Sequence, residues 1–169
     1  MARPSQGDYG AFYETYVSKV QEDDIYEAFR KHTAEVLDFF EKVPAQKLDY
    51  AYATGKWTIK QVLQHLIDAE RIFAYRALRF ARKDYTPLSP FEENDYAAEA
   101  RVDEREWMDM VEEFQLVRLS SEHLFRSLNE EELQRSGIAS GVPVSVLSLG
   151  YILIGHAIHH MGIVSERYL

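Results

Sequence analysis

The stretch "WTIKQVLQHLIDAERIFAYRALRFARK", Trp57 to Lys83, sets the tightest limit on what this chain can fold into. Thr58 is a natural N-cap with Gln61 at the reciprocal capping-box position, and Trp57 and Val62 occupy the two positions of a hydrophobic staple. Behind that start Ile59, Val62, Leu63, Leu66, Phe73, Ala77 and Phe80 recur at helical spacing. A helix of about 25 residues, ~37 Å long, cannot cover such a stripe by itself. It needs other long helices alongside.

The rest of the chain supplies them. Ile25, Phe29, Val36 and Phe40 repeat between Glu22 and Lys42, and Pro44 ends that pattern. "VDEREW" repeats the capping grammar, with Asp103 as cap, Glu106 reaching back and Val102 with Trp107 as staple, and predicts a helix through Met110, Phe114, Val117, Leu124 and Leu128. A short helical turn follows at "NEEELQ". Gly137, Gly141 and Pro143 then break the pattern before Ser145 caps a last helix to Tyr168. No period-two strand pattern competes, so the spacing predicts an all-α four-helix bundle forming a single domain over residues 1–169. The nineteen residues of "DYTPLSPFEENDYAAEARV" between the second and third helices exceed an ordinary helical-hairpin connection. They are long enough to cross the whole bundle, which predicts an up-down-down-up order with a long crossover there. The alternative is an ornamental loop in an up-down-up-down bundle.

Composition excludes several function classes. The net charge is -9 and no Lys/Arg cluster is present, so nucleic-acid backbones and anionic membrane surfaces are repelled. There is no cysteine, which removes disulfides, thiolate ligands and a protein thiol nucleophile. "MARPSQGDYGAFYETYV" lacks the n- and h-regions of a signal peptide, and no run is read as reaching the roughly 18 apolar residues of a membrane span. A cytoplasmic location is the expectation. The small-residue line Gly155 and Gly162 would let another helix approach, as in a homodimer.

The segment "GHAIHHMGIV" carries three of the six histidines in the most apolar part of the chain. His156 and His160 stand four apart, on one line with Leu149, Leu153 and Ile163, so both rings point into the bundle, where two imidazoles can share one cation. His159 falls on another line and is expected at the surface, the rim or a subunit contact. A usable site needs a third ligand from another helix. If the second and last helices are antiparallel, His65, seven residues after Thr58, is level with His160, eight before Tyr168. His32 shares a face with Phe29 and Val36 at a similar height and competes with it, while His123 is expected in solvent. Buried, hydrogen-bonded packing histidines are the metal-free alternative.

"GKWTIKQVLQHLIDAERIFAYRALRFARKD" and "SVLSLGYILIGHAIHHMGIVSERYL" resemble the two signature segments of the DinB-like superfamily of small metal-binding four-helix bundles, and the likeness runs through "PLSPFEENDY" to nearly the whole chain. In that family a tryptophan-led helix supplies one histidine and the last helix two spaced by four. The resemblance therefore implies His65, His156 and His160 as metal ligands, leaves His32 without a counterpart, and implies the up-down-down-up order. Several branches are transferases or isomerases using low-molecular-weight thiols such as bacillithiol or mycothiol.

Three neutral imidazoles leave coordination positions open on a divalent transition metal, zinc first, with nickel, iron or manganese also suited. Such a site is expected to activate water or a small-molecule thiol for hydrolysis or transfer on a small-molecule substrate. A non-catalytic bundle stabilised by its metal and acting in assembly is the competing expectation. Asp68, one turn after His65, is weighed as an outer-shell acceptor for its ring against an ion pair with Arg71, with Glu70 and Glu166 behind it. Arg76 is expected to make a rim ion pair, and Phe91, Asn94 and Tyr96 of the crossover to help roof a pocket.

Overall fold

The computed structural model describes residues 3–169. Four long helices carry the architecture: α2 (Ile25–Glu41), α3 (Ile59–Ala81), α5 (Trp107–Arg126) and α7 (Val146–Arg167). Their starts follow the sequence. Asp24 caps α2 by accepting from Tyr26 and Glu27, and Thr58 and Gln61 close the expected capping box on α3. The Ser145 hydroxyl accepts from Ser148 at the head of α7. The third helix is a correction. Asp103 lies in a 3-10 turn, Val102–Glu104, and α5 begins only at Trp107 with no side-chain cap. Val102 and Trp107 are nevertheless buried in one apolar cluster, and the indole donates to the Phe40 carbonyl at 3.2 Å.

Side-chain pairs fix the helix directions. Gln64, Arg71 and Arg82 of the α3 run meet Arg105, Glu113 and Glu132 in the same chain order, so α3 and α5 run parallel. Thr33 meets Glu122 and Phe40 meets Trp107, so α2 opposes α5. The Tyr168 hydroxyl reaches the Trp57 carbonyl at 2.7 Å, so the end of α7 lies beside the start of α3. The order is up-down-down-up, as the long crossover predicts. The crossover is itself folded: α4 (Glu93–Glu99) is capped by Glu92, and Leu88 exchanges backbone bonds of 2.9 Å with Ile138 and Ser140.

Two elements depart from the all-helical expectation. α6 (Glu130–Gln134), at the predicted turn, leads into an antiparallel hairpin of β1 (Ser136–Ala139) and β2 (Val142–Ser145). Its two-residue turn has φ of 54° at Ser140 and 79° at Gly141, the left-handed pair that a tight hairpin requires. Near the N-terminus, α1 (Glu14–Val17) packs on α7 after a 3-10 turn at Ala11–Tyr13. A Cβ at Gly155 would lie 2.0 Å from the Tyr16 carbonyl oxygen. That glycine thus admits a close helix, the chain's own α1, while a Cβ at Gly162 would meet nothing within 4 Å.

By length and composition Val146–Arg167 does qualify as a membrane span, contrary to the expectation that no run does. Its place explains the composition. α7 is the central helix, and every residue from Val146 to Ala157 is buried by the rest of the chain.

Candidate metal centre

Because α3 and α7 run antiparallel, the second turn of α3 faces the second half of α7, and His65 meets His156 and His160. His65 Nε2 lies 3.0 Å from His156 Nε2. The His160 ring centroid stands 4.9 Å from that of His65 and 4.6 Å from that of His156, and one nitrogen from each ring lies within 4.8 Å of the others. A cation with bonds of about 2.0–2.1 Å needs its nitrogens roughly 3 to 3.5 Å apart. The His65–His156 pair already stands at that spacing.

Burial keeps the three rings neutral. Desolvation holds His65 down at about 4 and His160 at about 3, the latter with added repulsion from His65 and His159. Desolvation also drives His156 well below its ordinary value, reinforced by the imidazoles around it and by Arg118. Lone pairs are therefore available at neutral pH. Among the described residues no carboxylate or carbonyl hydrogen-bonds these three rings; aromatic contacts hold them instead. Trp57 lies 4.8 Å from His65, Tyr16 5.0 Å from His156 and Phe73 5.9 Å from His156, centroid to centroid. The donor set, three neutral imidazoles whose one mutual hydrogen bond joins His65 to His156, fits a borderline divalent transition metal.

Metal-free protein should accordingly lose stability as pH falls from 6.5, where the unfolded imidazole protonates, toward the folded value of about 4 for His65. In that window the unfolded chain takes up protons that the folded one refuses, so acid favours unfolding, and above it the contribution is level. The strongly perturbed carboxylates titrate lower, Glu22 being held near 2 by Lys31 and, less strongly, His32. A urea midpoint that stays constant from neutral pH to about 4.5 would contradict this.

The other candidates sit elsewhere. His32 is gripped between Glu35 at 2.7 Å and Glu22 at 2.8 Å, and His123 is exposed. Asp68 turns away from His65, accepting from Gln64 at 3.0 Å and standing 4.0 Å from Arg71, the ion-pair reading. Glu70 is buried against Arg118, and Glu166 is exposed. His159, half-buried, is 5.4 Å from Tyr16 and 5.1 Å from His160, ring to ring.

The three imidazoles open onto a cleft of about 320 Å³ bounded also by Tyr16, Phe73, Arg76, Phe91 and His159. Phe91 lines it, whereas Asn94 borders a neighbouring cleft and Tyr96 a third. Arg76 corrects its expected rim ion pair. It is 2% exposed, and its Nη2 donates at 3.0 Å to the Ser89 carbonyl and to the Ser140 hydroxyl. Phe12, Tyr13 and Tyr16 of the N-terminal segment line the cleft too, residues with no motif to announce them.

Fold and cluster together define a class, the up-down-down-up four-helix bundle with converging histidines at the floor of an open cleft. The chain belongs to the DinB superfamily, whose sequence pattern matches residues 28–164. A protein of Geobacillus thermodenitrificans (strain NG80-2), named as a candidate metal-dependent hydrolase, is 32% identical over 121 residues. That match covers 68% of this chain and 66% of the relative, a little under two thirds of its length. Among solved structures, YfiT from Bacillus subtilis superposes with a TM-score of 0.76 at 18% identity, over 86% of this chain and 85% of that one. YfiT is described as a probable metal-dependent hydrolase with an unusual four-helix bundle topology.

Proposed function

We propose that this protein is a metal-dependent hydrolase acting on a small molecule, with His65, His156 and His160 as the ligands of one divalent transition cation. The observation that carries the reading is the convergence of three neutral imidazoles from two helices on one point at the floor of an accessible cleft. Three protein ligands leave positions for water and substrate, unlike a closed structural site. Bound there, the cation supplies Lewis-acid activation of the attacking nucleophile and of a substrate carbonyl.

The chain's own residues do the rest. Trp57, Tyr16 and Phe73 pack against the imidazoles, fix their planes and keep bulk water from them. His159, on the same cleft and with its pKa lowered chiefly by burial, is neutral and accepts a proton at a ring nitrogen. The relative named for metal-dependent hydrolysis supports water as nucleophile.

The test is equilibrium dialysis of chelator-stripped protein against zinc, nickel, iron(II) and manganese, followed by assays on a panel of esters, amides and lactones. One ion per chain and turnover that returns with metal are expected. No uptake of any of the four overturns the site. Uptake that raises the melting temperature without turnover overturns the enzyme reading in favour of a structural metal. Running the panel with a low-molecular-weight thiol beside water identifies the nucleophile, and turnover only with thiol replaces hydrolysis by transfer.

A further inference from the structure

Arg76 carries a charge that the protein leaves unanswered. It is 2% exposed, yet among the described residues no Asp or Glu oxygen lies within 4.0 Å of its guanidinium. Its hydrogen bonds to Ser89 and Ser140 go to neutral acceptors and both use Nη2. Burial lowers the arginine's pKa, and the Tyr13 hydroxyl beside it, a hydrogen-bond partner, offsets part of that. Phe73 and Phe91 flank the group, with ring centroids 5.8 and 6.0 Å from the guanidinium carbon. Taking a cation out of water without a counter-charge is costly, and two aromatic faces offset only part of that cost. The two hydrogen bonds hold Nη2 against the crossover and the hairpin turn, and the group borders the cleft.

We propose that the cleft binds a substrate bearing a carboxylate, which pairs with Arg76 while the reacting end lies at the imidazole cluster. This rests on the hydrolase reading only for the location of the reacting end. Phe73 links the two anchor points, lying 5.9 Å from the His156 ring and 5.8 Å from the guanidinium carbon. Those contacts cap the span at about three extended residues, so the substrate is a short molecule. Nη2 belongs to both edges on which a guanidinium can meet a carboxylate with two parallel bonds, and it is held by Ser89 and Ser140, so a carboxylate here takes single charge-assisted bonds from Nη1 or Nε. Arg76 is the one Lys or Arg bordering the cleft and Glu93 borders it too, so the cleft can pair one carboxylate at Arg76 but offers a phosphate dianion no further positive charge. Phe73 and Phe91 give the segment between the anchor points an apolar wall.

The experiment uses chelator-stripped full-length protein, titrated by NMR with hexanoate, hexanamide and inorganic phosphate while the Arg76 Nε–H signal is followed. Hexanoate is expected to bind about tenfold or more tighter than hexanamide and to shift that signal. In Arg76→Gln the two should bind within about twofold of each other, and Arg76→Lys should keep part of the preference. Equal binding of hexanoate and hexanamide by the wild-type protein, or no binding of either, overturns the proposal whether or not the variants fold. Phosphate binding more tightly than hexanoate overturns the carboxylate assignment. Because no metal is present, a protein that takes up no zinc but keeps the carboxylate preference sinks only the hydrolase reading. One that takes up zinc and shows no preference sinks only this one.

Discussion

His65→Ala is expected to lower zinc affinity by roughly a thousandfold or more, while His159→Ala leaves it within about threefold, as measured by competition with a chromophoric chelator. The contrast follows from geometry. His65 is the one imidazole that α3 brings to the cluster, so its loss leaves a pair of imidazoles one turn apart on α7, without the second helix that closes it. His159 is as near in sequence, yet it does not belong to the group whose nitrogens converge. Its ring lies against Tyr16 and the edge of His160. If it accepts a proton in the reaction, His159→Ala should lower turnover by about 10² to 10⁴ with metal content unchanged. Zinc affinity in His65→Ala within about tenfold of wild type would mean that the cation sits elsewhere.

The helix starts that carry this geometry were legible because their signals are local. Thr58 with Gln61, and Ser145, act through bonds that close within three residues, so spacing alone reveals them. The level of His65 against His160 followed from counting residues along two antiparallel rods. Asp103 misled because the same spelling also suits a 3-10 turn, and the chain turns through Arg101 at a φ of 45° just before it. The hairpin was hidden because Gly137 and Pro143 are poor strand formers. Those strands are held by pairing with Leu88 and Tyr9, partners far away in sequence. Arg76 was misread for a related reason. Position on a helix line gives its facing, but Ser89 and Ser140, which hold it, come from the crossover and the hairpin turn, whose paths the helical pattern does not encode.

Arg118→Met should destabilise the protein by about 3–5 kcal/mol, and adding Glu70→Leu should restore most of that loss, as read from urea midpoints. Arg118 and Glu70 are 1% and 2% exposed in their side chains and meet at 2.8 Å, so either alone leaves a buried charge without its partner. Both also carry an unsatisfied atom, Arg118 Nε and Glu70 Oε1, which is why the intact pair contributes little net stability and an apolar replacement is tolerated. What the pair supplies instead is register. Arg118 lies between the rings of Phe29 and Phe114 and donates at 3.3 Å to the Leu153 carbonyl, so it ties α5 at once to Glu70 of α3 and to the turn of α7 just before His156. The double variant should therefore fold with near wild-type stability but hold zinc less tightly, because one of the ties that set the height of His65 against His156 and His160 is then gone. A double variant that stays as unstable as Arg118→Met would show that the pair is a net stabiliser of the fold. One that is stable with unchanged zinc affinity would show that aromatic packing alone sets the register.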